Sequence, residues 1–283
     1  MIENRPITDT ITHIVLILGV MAIAFPVWIT FVAATHDELR MSQAPLPLLP
    51  GGYFWENMKQ TLFGGGLRGT EIAPVWLMLL NSLAMALMIS IGKISISLLS
   101  AFAIVYFKFP FRMFSFWLIF VTLMLPVEVR ILPTFEVVAN LGMLNNYWGL
   151  SIPLIASATA TFMFRQVFLT VPDELLESAR VDGAGPLRFF WDILLPMSRT
   201  NIAALFVILF IFGWNQYLWP LLITTDTSMT TIVMSIKQML EAAEQSPQWN
   251  IIMMTALLAM IPPVFVVIAM QKLFVQGLTE TDK

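Results

Sequence analysis

Six runs of mainly apolar residues, near 13–34, 76–107, 113–135, 147–170, 201–224 and 250–275, leave this chain little choice of solvent. A helix needs about 20 such residues to cross the hydrocarbon of a bilayer, and inside it every backbone N–H and C=O must find its partner within the helix. The expected fold is therefore an all-α integral membrane protein of six transmembrane helices. Hydrophobic residues make up 58% of the chain and charged ones 12%, too unbalanced for a soluble domain. The second run exceeds one span, so it either tilts or projects beyond the bilayer. The first follows Arg5 as its only basic residue and shows no convincing cleavage site, which reads as a retained span.

Basic residues set the expected orientation. With a cytoplasmic N-terminus, the inner segments hold nine, namely Arg5, Lys108, Arg112, Arg165, Arg180, Arg188, Arg199, Lys272 and Lys283. The outer segments hold four, Arg40, Lys59, Arg68 and Lys237. The positive-inside tendency then places both termini in the cytoplasm. A net charge of −3 without a concentrated basic stretch argues against nucleic acid as a partner. There is no cysteine, so disulfides and thiolate metal sites are excluded.

The whole of 1–283 reads as a single transmembrane domain, with a cytoplasmic loop at 171–200 and outer segments at 36–75 and 225–249. Prolines and glycines punctuate the first outer segment, and Tyr53–Phe63 within it reads as an interfacial helix. In the second, Thr230–Leu240 has the pattern of a short amphipathic helix. Ser82, Ala86 and Ser90 recur every fourth residue of the second run, with Ser97 and Ala101 continuing the pattern after a shift. Small residues at this spacing let helices approach closely in lipid, whether inside the subunit or against a partner. Pro262-Pro263 in the last run is expected to kink or locally unwind it.

Catalytic signatures are missing. Gly92-Lys93 is followed by Ile94 and position 87 is Leu, so no phosphate-binding loop is present and the chain does not hydrolyse ATP alone. His13 and His36 fall at opposite ends of the first run, too far apart to share a metal. No nucleophile elbow or paired carboxylates stand out, so the chain reads as no enzyme, with no cofactor and no metal of its own.

Charge inside a bilayer is costly, which singles out Lys93, Glu128, Arg130 and Glu136. Glu128 and Arg130 lie between Pro126 and Pro133, in a segment suited to lining a cavity. They are candidates for a solute path or, equally, a structural ion pair involving each other or Lys93. Gly213-Trp-Asn-Gln-Tyr-Leu-Trp-Pro220 sets two amides among three aromatic rings. The rings fit an interfacial belt, and Asn215 and Gln216 either bond neighbouring helices or line the path.

The polar island between the fourth and fifth runs carries the most specific signal. Pro172, Asp173 and Glu174 suit the first turn of a helix, Gly183 stands where a left-handed stop falls, and Gly185-Pro186 opens a second element that Pro196 interrupts. Its carboxylates, Asp173, Glu174, Glu177, Asp182 and Asp192, would be repelled by an anionic leaflet, so a protein groove is the better partner. Glu177-Ser178-Ala179, three residues, Gly183, nine residues, then Ile193-Leu-Leu-Pro196 resembles the EAA loop of ABC importer permeases, with Ser178 in place of the first alanine.

With six spans and both ends inside, the chain resembles the maltose-type class of those permeases, the type I ABC importer fold. Leu123–Ile131, Ala156–Phe162, Phe164-Arg-Gln166 and Gly213–Leu221 are similar to permeases of bacterial sn-glycerol-3-phosphate importers. The resemblance implies a multi-pass subunit of the bacterial cytoplasmic membrane, surrounded by lipid. Its implied partners are a second, non-identical permease, two ATP-binding subunits and an extracytoplasmic solute-binding protein. ATP binding then belongs to the partner ATPase, and Glu177, Ser178, Ala179, Asp182, Gly183, Leu187 and Phe190 become the expected coupling residues. A sugar or polyol permease is the alternative within the class, and a secondary transporter lies further off.

Overall fold

A computed structural model describes residues 6–64, 72–122, 127–242 and 248–279, with side chains described for 10–64, 72–122, 129–242 and 248–272. Among the described residues all regular structure is helical. Contacts divide the chain into two compact units, 1–77 with 235–261 and 78–234 with 262–283.

The first unit begins with α1 (Pro6–Ala34), followed by α2 (Glu38–Met41) and α3 (Phe54–Phe63). α1 is apolar around its circumference and exposed along most of its length, Ile23 at 80%, the pattern of a helix whose solvent is lipid. Its end is tied to the segment at 36–75 by amide bonding. Buried Asn57 of α3 donates to the carbonyls of Ala34 at 2.9 Å and His36 at 2.7 Å, and its own oxygen accepts from Asn250 at 3.1 Å. The Gly51 N–H reaches Thr35 Oγ1 at 2.7 Å, where an added Cβ would meet the Thr35 carbonyl at 2.6 Å. The helices expected within 36–75 and 225–249 are present, the second as α14 (Ile232–Ala242).

The second unit is organised on α4 (Val75–Tyr106), a helix of 32 residues. Met78, Ser82, Met85, Ala86, Ile89, Ser90, Lys93, Ser97, Ala101 and Phe102 are all buried, at the i, i+3, i+4 spacing of one face. The small residues on that face therefore pack inside the subunit. Gly213 of α12 (Arg199–Trp214) lies so close that an added Cβ would stand 3.0 Å from the Ala86 Cα. Without a hydrophobic drive between helices in lipid, such close backbone contact is a main source of association.

The remaining spans are less regular than the sequence implies. The fourth run is a pair, Tyr147–Leu154 and α8 (Ala158–Leu169), bent by 54°. It opens with α7 (Tyr147–Ser151), capped by Asn146 through Trp148 N at 2.9 Å. At the break Ser157 caps α8 through its side chain, and its carbonyl accepts from Ser97 of α4 at 3.3 Å. That carbonyl also accepts from the Thr161 N–H at 3.1 Å and Thr161 Oγ1 at 2.9 Å, so Ser97 adds a tie between α4 and the interruption. In the third run the described residues form α5 (Arg112–Val121) and α6 (Val127–Asn140), which contains Pro133. The fifth stops at Trp214, breaks at Asn215–Tyr217 and resumes as α13 (Leu218–Ile223). Conversely, α15 (Trp249–Thr279) stays helical through Pro262-Pro263, so no local unwinding occurs there.

A polar hub closes the far end of α4. Asn81, fully buried, donates to the carbonyls of Ser228 at 2.8 Å and Thr230 at 3.0 Å and accepts from Tyr147 Oη at 2.6 Å. Trp219 is also buried, its indole N–H on the Gly149 carbonyl at 3.0 Å, rather than sitting in an interfacial belt.

Gly213→Leu should force α4 and α12 apart. Overpacking of this kind costs about 1–3 kcal/mol. A lower thermal unfolding midpoint for the purified subunit is the expected readout, and Gly19→Leu, on open helix surface, should leave it unchanged.

Candidate coupling surface and solute path

The 171–200 loop is a helical hairpin. Pro172 takes the cap position of α9 (Asp173–Val181) at φ −60°, ψ 139°, one residue earlier than the first turn, with Asp173 and Glu174 following at the positive helix end. At the other end Gly183 adopts φ +72°. Its N–H bonds the Arg180 carbonyl at 3.0 Å and that of Ala184 the Ala179 carbonyl at 2.8 Å, the paired bonds of a Schellman stop. Nothing lies within 4 Å of an added Cβ at Gly183, so the requirement for glycine is the backbone angle alone.

The return arm comprises α10 (Pro186–Phe189), a π-helical turn at Phe190–Leu194 and α11 (Leu195–Met197), turning at Ser198 into α12. The chain bends by 72° there. Aromatic rings hold the hairpin to α4. Phe190 lies 5.0 Å from Phe102, Phe189 meets Tyr106 edge-on at 5.3 Å, and Tyr106 Oη donates to the Phe168 carbonyl of α8 at 3.2 Å. Such ring pairs add about 0.5–1.5 kcal/mol each beyond area burial. A cavity of about 280 Å³ remains beside them, lined by Phe102, Tyr106, Lys108, Ala179, Arg180 and Phe189 among others.

Of the seven expected coupling residues, Glu177, Ser178, Asp182, Gly183 and Leu187 are exposed. Ala179 and Phe190 are buried at 5% and 4%, inside the core that seats the hairpin, so their part is to hold its shape. Val181, exposed at 87%, and Trp191, at 65%, were not anticipated. Bare apolar side chains beside carboxylates are what a protein groove, not water, would cover. The i, i+4 spacing of Arg188 and Asp192 could have drawn attention to this arm, and the two pair at 3.2 Å.

The path candidates do not form one cluster. Arg130 is exposed on α6, its carbonyl accepting from Thr134 Oγ1 at 2.7 Å. The Glu128 side chain lies outside the described residues, and Glu136 is exposed. Asn215 is exposed at the break after α12, and Gln216 donates back to the Phe212 carbonyl at 3.1 Å. Lys93 is 8% exposed with Nζ 3.8 Å from the Phe212 ring centroid, and Arg165 stacks on Phe116 at 4.5 Å.

A family model described as the binding-protein-dependent transport system inner membrane component matches residues 93–280. The chain belongs to this family. Over all 283 residues, and covering 100% of both chains, it is 57% identical to the sn-glycerol-3-phosphate transport system permease protein UgpE of Yersinia pestis. Its identity to the proteins of that name from Brucella melitensis and Salmonella typhi is 56% and 58%, with the same coverage. A solved chain of a bacterial ABC transporter involved in import of the acidic polysaccharide alginate matches with a TM-score of 0.79 at 17% identity. That match covers 96% of this chain and 98% of the solved one, and it shows the type I permease fold. The permease is thus a multi-pass inner-membrane subunit of an ABC importer. It works in a complex with other subunits, to which ATP hydrolysis belongs.

Gly183→Val should leave the permease inserted but spoil the hairpin. A side chain in the left-handed region costs about 1–2 kcal/mol, more for a β-branched one. Solute-stimulated ATP hydrolysis in the reconstituted importer should be lost, whereas Gly185→Ala, at φ −72° and in open space, should retain it.

Proposed function

We propose that this chain is one permease subunit of an ATP-driven importer of sn-glycerol-3-phosphate and related glycerophosphodiesters. Full-length similarity to three permeases named for that solute carries the reading. On it, 1–283 acts as one membrane domain with both termini in the cytoplasm, beside a second, non-identical permease. Of the two ATP-binding subunits, one takes up the exposed side of this hairpin, and an extracytoplasmic solute-binding protein meets the segments at 36–75 and 225–249. No cofactor belongs to the chain itself.

Closure of the ATPase dimer displaces the hairpin. Because Phe189 and Phe190 are packed on Tyr106 and Phe102, the displacement passes to α4 as a rigid body and switches access from one side to the other. Glu177, Asp182, Leu187, Val181 and Trp191 supply contact area, while Ala179 and Phe190 supply stiffness. In the path, the Arg130 guanidinium offers paired donors to phosphoryl oxygens, with Glu128 holding it while the site is empty. Asn215 and Gln216 offer amides nearer the outer end.

Reconstitution tests this. Proteoliposomes holding the full complex and internal ATP should accumulate glycerol-3-phosphate when supplied with the loaded binding protein, and the lone subunit should not. Uptake by the lone subunit on an ion gradient would replace the reading with a secondary transporter. Losing a hydrogen bond to a charged group costs about 1.5–3 kcal/mol, so Arg130→Gln should lower transport about tenfold or more, and Arg130→Lys less. If Glu128→Gln with Arg130→Gln restores uptake, the two residues are only a structural pair.

A further inference from the structure

The cavity of about 280 Å³ beside the hairpin is lined from both sides of the contact that seats it. The end of α4 and the residues after it supply Phe102, Tyr106, Phe107 and Lys108. From α9 come Leu176, Ala179 and Arg180, at the i, i+3, i+4 spacing of one helix face. Phe102, Ala179 and Phe189 are buried, while Phe107, Lys108, Arg180 and Pro186 are exposed. Among the described residues the side chains of Lys108 and Arg180 engage no carboxylate and no hydrogen-bond acceptor. Nor does any described carboxylate line the cavity, although the hairpin carries several. Phe107, Phe109 and Phe111, in the link from α4 to α5, are exposed at 41%, 37% and 79%. Three bare rings around Lys108, in a turn between two spans, fit the interface of a bilayer and not water.

We propose that this cavity holds the headgroup of an anionic phospholipid of the inner leaflet, with Lys108 and Arg180 taking its phosphate. Basic pockets at the cytoplasmic ends of spans are where such headgroups bind. The guanidinium supplies a planar fork of donors and the ammonium a compact point charge. A free anion would use the two cations and leave the rings idle. A lipid uses both, because its glycerol and first methylenes lie against apolar surface. The volume falls just below the about 300–1,000 Å³ usual for small-molecule sites, which suits a headgroup and leaves the acyl chains in the bilayer. An ATPase groove has its own surface in Val181 and Trp191, neither of which lines the cavity. Bound there, the headgroup bridges α9 to the end of α4 and adds to the ring contacts that seat the hairpin. The inference rests on the importer reading in placing the hairpin on the cytoplasmic side.

The test places the complete importer in phosphatidylcholine nanodiscs containing rising fractions of a photoactivatable phosphatidylglycerol and maps the crosslinks by mass spectrometry. Labelling should fall on 102–108 and 176–189. Lys108→Gln or Arg180→Gln should each raise the half-maximal lipid fraction about fivefold, and the two together about thirtyfold. Lys108→Arg and Arg180→Lys keep the charge and should stay near the unmodified protein, as should Lys59→Gln, which removes a cation elsewhere. Unchanged labelling in the double variant overturns the site, as does equal labelling by a phosphatidylcholine analogue. Displacement of the lipid by inorganic phosphate makes the occupant a soluble anion, and loss of the ATPase subunits from the double variant makes the two cations a protein contact; either result overturns the lipid. Solute-stimulated ATP hydrolysis should also be severalfold lower in pure phosphatidylcholine, and the double variant should show that lower rate in both lipids. Equal rates for the unmodified importer in the two lipids overturn the bridge. Labelling needs no turnover, so an importer that ignores glycerol-3-phosphate would remove the substrate reading while the crosslinks still decide the site.

Discussion

The close approach of α4 and α12 at Ala86 and Gly213 is the contact on which the second unit depends. Lipid tails are as apolar as leucine, so burying leucine against leucine gains little inside a membrane. Association must come from dispersion at short range and from polar groups that find partners. The buried face of α4 supplies both. Small residues admit neighbouring backbones, while Asn81 and Ser97 reach carbonyls of segments far away in sequence. Irregular spans are tied to such a spine by contacts of this kind, as Ser97 ties the break at Ser157 to α4.

The hairpin depends on the same helix at its opposite end. A surface loop moves easily by itself and transmits nothing. Here the Schellman stop at Gly183 fixes where the chain reverses, and the rings of Phe189 and Phe190 fix the reversed arm to Tyr106 and Phe102. The outward side is left with carboxylates and with Val181 and Trp191, exposed at 87% and 65%. Shape and contact are thereby divided between different side chains, so the surface could change partner without loosening the seat.

What was legible in the sequence follows the range of the interactions involved. The stop at Gly183, the acidic first turn of α9 and the helices at Phe54–Phe63 and Ile232–Ala242 are local matters of backbone angle and periodicity, and each is present. The inward stripe of α4 was visible as spacing, although only the structure settled which neighbour it meets. The break around Ser157 was not visible, although its local remedy, the cap of Ser157 and the bonds from Thr161 to its carbonyl, lies close in sequence; only the tie from Ser97, 60 residues away, is long-range. Trp219 looked like a belt residue because its indole partner is 70 residues off at Gly149. Pro262-Pro263 misled in the other direction. Prolines remove donors without dictating a break, and α15 continues. In the coupling loop the motif marked the right segment but could not tell inward from outward, so Ala179 and Phe190 stood beside Glu177 and Asp182.

The charges inside the membrane show the same limit from the side of energetics. Hydropathy marks Lys93 and Arg130 as expensive without saying what offsets the expense. For Arg165 the answer is partly visible, since the guanidinium lies on Phe116 while its Nε remains buried without a partner. Lys93 likewise lies on a ring, that of Phe212, and among the described residues no carboxylate pairs with it. An importer must bind its solute strongly enough to admit it and weakly enough to release it. A ring face offsets part of a cation's desolvation without the tight hold of an ion pair, so a charge backed in this way costs less inside a span than a bare one and binds less firmly than a paired one.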